Sequence, residues 1–66
     1  MEAFVERMIK EQDDLFDKCE KAIKFTNSIN FLKLDEENRY LLSAQINVML
    51  AYNEILKRRI KINGGH

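Results

Sequence analysis

Apolar side chains recur three and four positions apart from Glu2 to about Thr26. Val5, Met8, Gln12, Leu15, Cys19, Ala22 and Thr26 form one line, a heptad seam that carries an amide at Gln12. Ile9, Phe16 and Ile23 widen that seam. The opposite face carries Glu6, Lys10, Asp13, Asp14, Asp17, Lys21 and Lys24. The period predicts an amphipathic helix over about 2–26 with one wet side. Glu20 and Lys24 form an i,i+4 pair in the favourable order.

The pattern breaks over about 27–35. Thr26, Asn27, Ser28 and Asn30 compete for backbone hydrogen bonds, which favours a turn. Ile29, Phe31, Leu32 and Leu34 keep this stretch partly apolar, so it reads as a loop pinned to the end of a core. Asp35 is placed to cap the next helix by accepting backbone N–H groups, with Glu36 and Glu37 suiting the helix dipole.

The second predicted helix, about 36–62, has two parallel seams. One is Leu41, Gln45, Val48, Tyr52, Ile55, Arg59 and Ile62. The other is Leu42, Ile46, Met49, Asn53, Leu56 and Ile60. The stretch Tyr40–Asn53 contains no charged residue, although 33% of the chain is charged. A helix apolar on more than one side must be covered on more than one side. One seam can pack on the first helix, and the other is left for a second chain. In an antiparallel arrangement Lys57 to Lys61 come beside Glu2 and Glu6.

Size points the same way. A 66-residue chain buries a small share of its surface and normally needs a disulfide, a metal or a partner chain. Cys19 is the single cysteine and His66 the single histidine, which argues against an intrachain disulfide and a zinc site. No bound metal or cofactor is expected. Formal net charge is zero, which argues against a general nucleic-acid binder. The charge is uneven: residues 1–35 carry −2 and residues 36–66 carry +2. Glu2 and Glu6 sit where a signal peptide needs basic residues, and the uncharged stretch is too short for a membrane span. The expected compartment is the cytosol. Residues 64–66 read as a flexible tail.

No nucleophile–base pair can be assembled from residues 1–63, so the chain does not read as an enzyme. Asp13, Asp14 and Asp17 read as a solvated face, and Cys19 as a small buried hydrophobe. The polar members of the seams are more informative. Gln12, Gln45, Asn53 and Arg59 either set register and oligomer state or line a polar pocket. In the second case Tyr52 supplies a ring face, and Arg7, Arg58 and Arg59 supply cations. Such a set suits a small anionic aromatic ligand, with a base stacked on the ring and phosphate held by guanidinium. Arg39 and Tyr40, with Lys33 nearby, form a lesser candidate whose simpler reading is a solvated helix start.

The spaced run Leu41, Leu42, Gln45, Met49, Tyr52, Leu56, Arg59, Ile60 follows a helix bearing Arg7, Met8, Ile9, Glu11, Leu15 and Lys18. Over residues 4–60 it resembles a family of small helical-hairpin proteins of crAss-like and other tailed phages. In architecture it is similar to the phage anti-CBASS and anti-Thoeris proteins, oligomers that sequester cyclic-oligonucleotide or ADP-ribose-derived signals without cleaving them. The proline-containing N-terminal segment and the tryptophan-containing second helix of that group are absent here. The resulting expectation is an all-α, antiparallel two-helix hairpin that assembles into an oligomeric helical bundle. Its expected role is a phage anti-defence sponge for a cyclic nucleotide-type signal in the host cytosol, with Arg7, Gln45, Tyr52, Asn53, Arg58 and Arg59 as ligand contacts. The alternatives are a module that captures a host protein and a small structural phage protein.

Overall fold

The computed structural model describes residues 2–65. Three helices account for nearly all of them: α1, Ala3–Thr26; α2, Ile29–Leu32; and α3, Glu36–Ile62. No strand occurs among the described residues. The shape is a rod of 46 × 15 × 14 Å. No helix among the described residues is long and apolar enough to cross a membrane.

α1 and α3 pack along their lengths. Val5 and Met8, near the start of α1, cluster with Ile60, near the end of α3, and Ile9 packs against them. Further along, the Gln12 side-chain amide donates to Asn53 Oδ1 at 2.9 Å. Residue numbers thus rise along one helix as they fall along the other. Val5, Cys19 and Leu56 are sealed from solvent, and Ile46 is buried with them. All the buried positions belong to the first α1 seam and the second α3 seam. Asn53 is the buried polar side chain of that core, and no buried side-chain polar atom lacks a partner among the described residues. This bond accounts for two of the polar seam residues: the Gln12 amide N–H and the Asn53 carbonyl oxygen are paired inside the chain.

α1 ends without proline or glycine. Its last carbonyls are taken by side chains as well as by the backbone N–H groups of Asn27 and Ser28. Thr26 Oγ1 and the Asn27 side-chain amide both donate to Ile23 O, and Ser28 Oγ donates to Phe25 O at 2.6 Å. The stretch expected as loop contains the short helix α2, and Phe31 meets Phe25 edge to face at 6.2 Å. Asp35 is the N-cap residue of α3, but its carboxylate does not take a backbone N–H. It accepts from the Asn38 side-chain amide, one turn on, which competes for the same oxygens. Arg39 is no solvated helix start. Its guanidinium donates to Leu34 O at 2.8 Å and Leu32 O at 3.2 Å, tying the connection to α3.

The C-terminal glycines do structural work. Gly64 has φ +89°, Gly64 N–H donates to Lys61 O, and Gly65 N–H donates to Ile60 O at 2.8 Å. That is the paired closure of a Schellman motif, which needs a residue in the left-handed region after the helix. Gly64 and Gly65 therefore belong to the helix end rather than trailing from it. His66, read with them as tail, lies outside the described residues.

Ion pairs among the described residues are Lys10–Asp14, Lys21–Asp17 and Lys57–Glu54, each within one helix. Neither Glu2 nor Glu6 pairs with the cations at the end of α3, and Glu20 does not pair with Lys24. All six partners are well exposed, so these pairs contribute little to stability.

Candidate functional site

Two grooves flank the seam between α1 and α3. The first has a volume of about 390 Å³ and is lined by both Arg7 of α1 and Tyr52 of α3. Lys10, Glu11, Asp14 and Lys18 edge it, and Leu15 forms part of its floor. Lys10 Nζ lies 3.4 Å from Asp14 Oδ2, so that lysine is partly neutralised. Arg7 and Lys18 take no salt-bridge partner among the described residues. Tyr52 is 41% exposed, enough to offer one ring face. The groove thus combines an aromatic face with two uncommitted cations, a combination suited to a base and a phosphate.

The second groove lies on the other flank and encloses about 340 Å³. Ile9 and Ile60 give it an apolar floor, Gln12 lies at its edge, and Lys57, Arg58 and Lys61 supply cations beside Glu54.

The six candidate residues are therefore divided. Arg7 and Tyr52 share a groove. Arg58 lines the other. Asn53 is buried between the two and is bonded to Gln12. Gln45 and Arg59 stand on the exposed seam of α3, where the Gln45 amide makes only a long contact with Met49 Sδ. Lys18 and the acids Glu11 and Asp14 escaped the sequence reading as groove residues. The signal was present: Arg7, Glu11, Asp14 and Lys18 step four, three and four along α1, a row flanking the buried seam.

The outer seam of α3 is the larger feature. Leu41, Val48, Tyr52, Ile55 and Ile62 remain 41–76% exposed. Phe16 and Ile23, on α1, are also exposed. Apolar residues at regular heptad spacing on one face form a continuous strip rather than scattered surface positions.

The profile of the Sequestin family matches residues 2–62, which takes in all three helices. The chain belongs to the Sequestin family. That family name points to a sequestering function. No curated protein and no solved structure matches the chain. In this Sequestin member the buried seam is filled by the chain's own side chains, while the two grooves and the outer seam stay open.

Proposed function

We propose that this Sequestin member is an antiparallel two-helix hairpin that assembles with copies of itself and sequesters a nucleotide-derived immune signal without cleaving it. The signal is of the cyclic-oligonucleotide or cyclic ADP-ribose class, and it is held at pockets between chains. The setting is a phage protein acting against defence in the host cytosol. Membership of a family named for sequestration supports the sequestering part. The observation that carries the ligand class is the groove lined by Arg7, Lys18 and the part-exposed Tyr52. The exposed heptad strip on α3 supports assembly.

Calorimetric titration against cyclic di- and trinucleotides and cyclic ADP-ribose isomers tests this reading. Saturable binding of at least one, with the ligand recovered intact by mass spectrometry, is the expected result. Arg7→Gln should weaken it about tenfold, the loss of one charge-assisted contact to phosphate. No binding across the panel at millimolar ligand overturns the reading. The same exposed strip favours one other reading, capture of an amphipathic helix of a host protein. That reading predicts no small-molecule binding and a stoichiometric protein complex.

A further inference from the structure

The exposed seam of α3 has the same order in both directions. It runs Leu41, Gln45, Val48, Tyr52, Ile55, Arg59, Ile62: apolar, polar, apolar, tyrosine, apolar, polar, apolar. We propose that this seam pairs antiparallel with the same seam of a second copy, about a two-fold axis beside Tyr52. In that register Leu41 meets the partner's Ile62, Val48 meets the partner's Ile55, and Gln45 meets the partner's Arg59. Each apolar side chain finds an apolar one, and each guanidinium finds an amide oxygen to donate to. The parallel alternative sets Arg59 against the partner's Arg59, two like charges in an interface that excludes water. A two-fold contact is self-complementary and closes, so it covers the strip without leading to a filament.

The pairing also makes a site that one chain lacks. The two α3 seams are one residue apart, so they point about 100° apart around the helix. α1 occupies one and the partner's α3 the other, which sets the two α1 helices on the same side of the α3 pair. The Gln12–Asn53 bond fixes the level of α1 against α3. At that level the row Arg7, Glu11, Asp14, Lys18 is centred near Tyr52. The two-fold axis therefore brings Arg7 level with the partner's Lys18, and Glu11 level with the partner's Asp14. Like charge faces like charge, which keeps the two α1 helices apart and leaves a cleft over the tyrosines. At each end of that cleft the cations come from both copies. The pairing stands without the ligand reading, whereas the shared cleft rests on it.

Cysteine cross-linking tests the pairing with no ligand present. Cys19 is 1% exposed and serves as an unreactive internal control. Tyr52→Cys should form a disulfide dimer with itself. Val48→Cys and Ile55→Cys should each cross-link poorly alone and readily when mixed. Efficient self-cross-linking of Val48→Cys overturns the proposal in favour of a parallel contact. Absence of every cross-link together with a monomer mass in native mass spectrometry overturns it outright. For the cleft, pyrophosphate is the probe. Arg7→Gln and Lys18→Gln should each weaken its binding, and mixing the two variants should restore a fraction of tight sites, because one end of the cleft is intact in the mixed dimer. Failure to restore any tight site shows that the two cations do not act from different chains.

Discussion

The two seams of α3 are built from the same material and meet opposite fates. Leu42, Ile46, Met49, Asn53, Leu56 and Ile60 face α1 and are buried or half-buried. Leu41, Gln45, Val48, Tyr52, Ile55 and Arg59, each one residue before a member of the first set, face outward, as does Ile62. Leu56 has no exposure and Ile55, its neighbour, has 57%. Hydrophobicity alone does not separate them. The polar residues do. The buried seam's amide finds Gln12 across the helix contact, while the outer seam's Gln45 and Arg59 find no such partner among the described residues.

The sharpest way to break this comparison is to truncate neighbours. Leu56→Ala should cost about 2–5 kcal/mol in urea denaturation, since it empties a sealed site. At concentrations where the chain is monomeric, Ile55→Ala should cost less than about 0.5 kcal/mol. Equal losses at the two positions would mean that the outer seam is as covered as the inner one.

Next in size is the amide pair. Gln12→Ala leaves Asn53 buried without its partner and should cost about 1–3 kcal/mol. Replacing both by leucine should recover most of that loss, because no polar group is then stranded. A double-mutant cycle on thermal unfolding reads the coupling directly.

Smaller again is the helix end that holds the last buried member of the inner seam. A Cβ on Gly65 would lie 2.9 Å from Ile60 O and would press on the Ile60 side chain. Gly65→Ala should lower stability by about 1–2 kcal/mol, measured by thermal unfolding. The smallest effect is expected from Lys10→Ala. Its ion pair with Asp14 is exposed, and the change should stay within about 0.5 kcal/mol.

The long helices and both α3 seams were legible in the sequence because spacing alone defines a face. Which seam would be buried was not, since either offers a similar apolar line. The Gln12–Asn53 bond required the register between helices, and sequence spacing carries no register. Arg39 looked like a solvated cation because its acceptors, the carbonyls of Leu32 and Leu34, are backbone atoms made available only by the turn. Of the candidate site, Arg7 and Tyr52 line one groove. Arg58 was separated from them because residues 52 and 58 point to different flanks of α3.

The Gln12–Asn53 bond has one more effect, on which way up the molecule can be put together. α1 confronts two greasy strips on α3 and must choose. At the height of Gln12 one strip offers an amide oxygen and the other the ring of Tyr52. Docking on the wrong strip would bury a glutamine against a ring that takes up little of its hydrogen-bonding capacity. A single polar contact thus works as a key, and swapping Asn53 with Tyr52 should turn the lock the other way.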